Sequence, residues 1–120
     1  KADTIQSTGG GAATLTKQEA AKSRVSATII SNTHTIQDSF NVSDLIDDGA
    51  GRTDVQFTNN MNNDDYSATA TCGKDGSSMF ANLGANSLVT SSEYRCNTVT
   101  DGGSISDYDV LCSAVHGDLA

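Results

Sequence analysis

An all-β fold, an antiparallel β-sandwich or jelly-roll-like head, is the class that this 120-residue chain predicts. Three observations predict it. Short runs in which apolar residues recur at a spacing of two follow one another at intervals of roughly 8 to 15 residues, as strands do and helices do not. Between the runs stand clusters of Gly, Asn, Asp and Ser, which reverse a chain by taking positive φ or by bonding to their own backbone. The composition is also lean: apolar residues make up 36% and aromatic residues 5%, with no Trp, which suits thin layers with one wet face. No internal repeat is evident, which argues against a β-helix or a propeller.

The elements follow in chain order. Residues 1–22 differ from the rest. Thr8 to Ala13 is a Gly and Ala stretch, and Thr16-Lys17-Gln18-Glu19 is a capping box that opens a short helix over 18–22. Two helical turns do not stand alone in water, so this helix needs a neighbour, with Leu15 as its apolar contact; a linker with transient helicity explains the same residues. The chain therefore divides into an N-terminal thread with a short helix, 1–22, and a β-sandwich head, 23–120. Strands are predicted at 24–30, 35–42, 43–47, 53–58, 66–73, 94–100 and 108–116, with a less defined segment around 87–90.

The most informative part is 35–66. Phe40, Val42, Leu45 and Ile46 come early, Gly49 and Gly51 break the run, and Val55 and Phe57 resume it at a spacing of two. Asp47 and Asp48 supply acceptors just before two residues that tolerate φ > 0. The segment is a β-hairpin with a short or bulged turn. A polar stretch then delivers Tyr66 to a further alternating strand through Ala68, Ala70 and Cys72.

Those residues also carry a likeness. D-S-F-N-V-S at 38–43, the acidic pair with G-x-G at 47–51, V-x-F-T at 55–58 and N-M-N-N-x-D-Y at 60–66 resemble a small module at the C-terminal end of bacteriophage tail fibre proteins. The lead-in at 1–22 and D-Y-D-V-L-C-S-A-V-H-G-D at 107–118 resemble the flanks of that module, and 73–103 matches it weakly. The chain departs from the pattern at 23–26 and at His116. The resemblance implies a homotrimer whose N-terminal segment joins other tail or virion proteins. It also implies a distal head that attaches to a host cell-surface receptor, a glycan. A structural virion decoration, or a trimerisation and folding cap, is the alternative.

The formal charge of −8, from 15 acids against 7 bases, opposes nucleic acid binding, which needs clustered Lys and Arg. No apolar run approaches the roughly 20 residues of a membrane-spanning helix, and no signal peptide pattern stands at the N-terminus. The start at Lys1 reads as part of something longer. Cys72, Cys96 and Cys112 are an odd set without C-x-x-C spacing. They read as buried or half-buried free thiols, Cys112 sharing a strand face with Val110 and Ala114, or else as one bridge, Cys72 to Cys96 or Cys96 to Cys112.

Asp44, Asp47, Asp48 and Asp54 could supply oxygens to calcium, but their spacing is not that of an EF-hand and acids beside Gly are ordinary turn formers. Asn59, Asn60, Asn62, Asn63, Asp64 and Asp65 could bond sugar hydroxyls or simply form a tight loop. No metal or cofactor is expected. Nor is catalysis: no spacing selects a carboxylate pair, G-x-S-x-G is absent, and His34, expected exposed at a turn, and His116, in the last strand, have no nucleophile. What remains is a recognition surface. Its candidates are Tyr94 and Arg95, Tyr108, and Lys74 with Asp75, residues that combine aromatic rings with polar groups near loops.

Overall fold

The computed structural model describes residues 20–30, 32–85 and 88–119. Eight strands follow in order: β1 Ser23–Ile30, β2 Thr33–Phe40, β3 Val42–Asp47, β4 Arg52–Phe57, β5 Ser67–Gly73, β6 Met79–Leu83, β7 Glu93–Thr100 and β8 Val110–His116. They form two four-stranded antiparallel sheets, β2-β1-β8-β5 and β3-β4-β7-β6, packed as a sandwich. The expected all-β class is the one observed.

Period-two alternation makes the core. β4, β7 and β8 each bury every second residue, so Thr53, Val55 and Phe57 meet Tyr94, Cys96 and Thr98 from one sheet, and Leu111, Ser113 and Val115 from the other. Val25, Ala27, Leu45, Met61 and Tyr108 complete the core. Each fully buried large apolar side chain contributes roughly 1.5–3 kcal/mol, so a core this small leaves little margin for defects.

The chain crosses between the sheets four times, at β2–β3, β4–β5, β5–β6 and β7–β8, and two of these crossings are short corners. Asn41 stands between β2 and β3 at φ 55°. Its amide donates to Lys22 O at 3.1 Å and to Asn59 O at 3.0 Å, while its side-chain oxygen accepts from Asn59 N at 2.7 Å. The chain thereby switches sheets without leaving polar groups orphaned. At the other corner Gly76, φ 71°, lets Lys74 and Ser77 pair across the turn between β5 and β6.

The predicted hairpin is β3–β4. Gly49 at φ 106° makes the turn, closed by Arg52 N donating to Gly49 O at 2.9 Å. Gly51, φ 65°, instead ties the hairpin to the rest of the fold, since its amide donates to Asp107 Oδ1 at 2.6 Å and its carbonyl accepts from Thr98 N at 2.8 Å. A Cβ there would lie 2.5 Å from Ile105 Cγ2 and 2.7 Å from Thr98 O.

Several expectations need correction. The second strand ends at Phe40 and the third begins at Val42, because Asn41 takes the corner. The segment expected around 87–90 is not a strand: Ser87 lies outside the described residues, and Val89 forms only an isolated bridge to Tyr94. The strand found in this region is Met79–Leu83 instead, which pairs with β7 on the side away from β4. Most of the helix expected over 18–22 lies outside the described residues; Ala20 to Lys22 are not helical, and Lys22 N donates to Val115 O at 2.7 Å, continuing the ladder of β1.

Candidate ligand-binding faces

Of the five residues expected at a receptor surface, two are in the core. Tyr94 is 0% and Tyr108 1% exposed, so neither presents a ring to a ligand. Tyr94 points inward from β7, its ring 5.6 Å from Phe57 and 6.3 Å from Tyr66, and its hydroxyl bonds the Ser113 hydroxyl on the opposite sheet. Tyr108 packs on His34 with ring centres 5.9 Å apart, and its hydroxyl accepts from Thr53 Oγ1 at 3.3 Å. Each ring brings large apolar area, and each hydroxyl finds the partner that offsets the cost of its burial. Burial pushes both hydroxyls above the ordinary tyrosine range, Tyr108 to about 12, so both stay neutral at physiological pH.

His34 is likewise not the exposed turn residue expected. It sits half-buried in β2 with Nδ1 unpartnered among the described residues.

Arg95 does lie on an outer face, but its guanidinium is occupied. Nε and one terminal nitrogen donate to the two oxygens of Asp54 at 2.6 and 2.8 Å, and the other nitrogen meets Asp48 at 2.7 Å. The fork of the guanidinium matches a carboxylate, and the hydrogen bond to Asp54 holds Arg95 above its already high ordinary value. Lys74 and Asp75 occupy the β5–β6 corner. Lys74 Nζ donates to Asp107 O at 3.0 Å, Asp75 N donates to Asp109 Oδ2 at 2.8 Å, and only the Asp75 side chain is exposed. The five residues thus fall on the core, a corner and one sheet face, and do not form a single site.

The acids that could have held a metal are accounted for by turn chemistry and by Arg95. Asp44 Oδ1 accepts from Leu45 N at 2.8 Å, Asp47 Oδ1 accepts from Gly49 N at 2.9 Å, and Asp48 and Asp54 belong to Arg95. No three His, Cys, Asp or Glu among the described residues are placed to hold a metal ion. The amide-rich loop is also pinned. Asn63 Oδ1 accepts from Asp65 N at 2.9 Å, Asn62 N donates to Asp118 O at 2.7 Å, and the buried Met61 donates its amide to the Ser91 carbonyl. At its end the Tyr66 hydroxyl reaches Thr90 O and Glu93 O at 2.9 and 3.0 Å.

Two outer faces remain. On β2-β1-β8-β5, Arg24, Ser26, Thr69, Thr71, Cys112 and Ala114 line a shallow groove of about 400 Å³. Val110, Cys112 and Ala114 do share a strand face as expected, but it is this outer one, and Cys112 is exposed where a buried or half-buried thiol was expected. Cys96 is buried and Cys72 half-buried, and all three thiols are free.

On β4-β7-β6, beyond the outward pairs Gln56–Glu93 and Asp54–Arg95, two further cross-strand rows follow. Arg52, Asn97 and Asn82 are directly paired in one. In the next, Phe80 pairs with Val99, which bridges Ile105. Phe80 is 59% exposed and Ile105 also projects into solvent. Among the described residues, the side chains of Arg52, Asn82 and Asn97 have no intramolecular hydrogen bond or ion pair. These two rows were missed because Met79 and Phe80, adjacent and both apolar, blur the alternation of a five-residue strand, leaving Phe80 and Asn82 at a spacing of two as the local signal. No family model matches this chain, and neither does any curated protein or solved structure.

Proposed function

We propose that the chain is the C-terminal module of a bacteriophage tail fibre, a homotrimer whose sandwich forms the distal head and attaches to a host cell-surface glycan without catalysis. The observation that carries this reading is the run 38–66. Its tail-fibre-like residues occupy the constrained positions of one continuous unit: Asn41 at the corner, Gly49 and Gly51 in the hairpin, Phe57 and Met61 in the core, and Tyr66 at the end of the pinned loop. The lean sandwich adds support, since subunits with small cores gain from burying further surface against copies of themselves. In this reading the N-terminal segment joins the head to other virion proteins, and three copies turn individually weak polar contacts into firm adhesion through effective concentration.

Sedimentation equilibrium of the 120-residue chain is expected to give three times the 12.4 kDa subunit mass at micromolar concentration. Labelled protein is expected to adsorb to a susceptible bacterial strain and not to receptor-deficient derivatives of it. A stable monomer would remove the trimer, and failure to adsorb to any strain of a broad panel would remove the attachment role.

One observation favours a second reading, a virion decoration or a trimerisation and folding cap. The groove face of β2-β1-β8-β5 carries small side chains with exposed Phe40 and Val110 around them, a shape that accepts a flat protein surface. That reading shares the trimer and lacks adsorption.

A further inference from the structure

We infer that the outer face of β4-β7-β6 binds a neutral glycan, one or two pyranose rings lying against Phe80 with their hydroxyls bonded by Asn82, Asn97 and Arg52. The inference rests on the attachment reading above and names its site and its ligand class.

Chemistry, size and charge each narrow the occupant. A pyranose ring has apolar C–H faces and a rim of hydroxyls, so it needs an exposed flat ring beside planar donors and acceptors. Phe80 supplies the ring. Val99 and Ile105 continue the apolar row from it. In the adjacent row one guanidinium and two carboxamides stand side by side on paired strands, with no partner among the described residues. Strand pairing holds their Cα positions, so little backbone freedom is lost on binding.

Directly opposite residues lie about 5 Å apart and successive rows about 7 Å apart, so the six residues span roughly 10 Å by 7 Å. A stable protein interface needs about 800 Å² from each partner, far more than this footprint. One or two sugar rings fit it. The charge of −8 repels polyanions such as nucleic acid or a polyuronate, and Arg52 is the single cation of the two rows. Nearby Asp48 and Asp54 both belong to Arg95, so Arg52 is left to donate to hydroxyl oxygens.

The test uses the whole chain, isotope-labelled, titrated with a panel of neutral gluco-, galacto- and manno-oligosaccharides of four to six rings and with oligogalacturonate. At least one neutral member is expected to shift the amide resonances of Phe80, Asn82, Asn97 and Arg52. Phe80→Ala is expected to weaken that binding about tenfold, and the double change of Asn82 and Asn97 to Ala by at least as much, because stacking and hydrogen bonding are lost separately. Phe80 is mostly exposed, so thermal unfolding of Phe80→Ala is expected to match the parent and exclude a folding defect.

Absence of binding by every neutral sugar, preference for oligogalacturonate, or shifts confined to another face would each overturn the inference. Adsorption to bacteria separates it from the reading beneath it. Phe80→Ala protein that still adsorbs fully would sink this site and leave attachment standing, whereas parent protein that adsorbs to no strain would sink both.

Discussion

Gly51 shows how much a single residue constrains in a thin sandwich. It combines positive φ with a place where a Cβ would collide with backbone as well as with the flexible Ile105 side chain. Gly49 has positive φ and open space around it. The two glycines look alike in the sequence and should respond differently. Gly51→Ala is expected to cost about 3 kcal/mol by urea unfolding, from overpacking added to the strained backbone, and Gly49→Ala about 1 kcal/mol. Equal losses would show that the close approach at Gly51 relaxes freely. A glycine turn was legible from composition and spacing. The clash was not, because Ile105 and Thr98 are far along the chain. The same distinction governs the tyrosines: an amphipathic ring serves a surface or a core equally well, and only the hydroxyls of Ser113 and Thr53, waiting on other strands, settled Tyr94 and Tyr108 inside.

Among the elements, the β2–β3 corner depends on Asn41 more than on its strands. The side chain closes three hydrogen bonds while the backbone takes a conformation that Asn tolerates better than most residues. Asn41→Ala loses both advantages and is expected to destabilise by about 3 kcal/mol; Asn41→Gly keeps the backbone freedom and should lose about 2 kcal/mol. Chemical denaturation of the two variants checks the order, and a glycine variant as unstable as the alanine one would mean that φ is not limiting. The sequence placed β1, β4, β5 and β7 to within two residues at either end, since each has a clear period of two, and bounded β8 as closely. In β8, however, both alternating sets are small or apolar. Leu111 and Val115 could face in, or Val110, Cys112 and Ala114 could, and pairing with β1 and β5 chose the former. β6 escaped notice for the opposite reason, being short and lacking a clean alternation.

At the scale of the whole molecule, burial keeps several titratable groups in and around the core neutral to high pH. Burial pushes Cys96 up to about 12 from an ordinary 9.0, and Tyr108 to about 12 from 10.0. Tyr66 also reaches about 12, through burial first and then the nearby Asp64 charge, and Tyr94 is raised further. In the unfolded chain these groups lose protons near pH 9 and 10, while the folded chain keeps them. Above about pH 9 the unfolded state therefore binds fewer protons, so this contribution to stability is complete below about pH 9 and falls as pH rises toward about 12. Thermal unfolding is expected to show a falling Tm from about pH 9 to 11, with a gentler fall between about pH 9 and 10 in Cys96→Ala. A Tm constant to about pH 11 would contradict the burial of these groups.

By itself the sequence determined an all-β chain, its hairpin with the glycine turn, its acidic surface and most of its strand positions. These depend on local period, local turn chemistry and total charge. Only the tertiary structure decided which side of β8 became core. It committed Arg95 to Asp54, 41 residues away in the chain, and it set Phe80, Asn82, Asn97 and Arg52 together on one face. Those outcomes depend on strand order and register, which bring distant residues within about 5 Å and leave no trace in the pattern of any one segment.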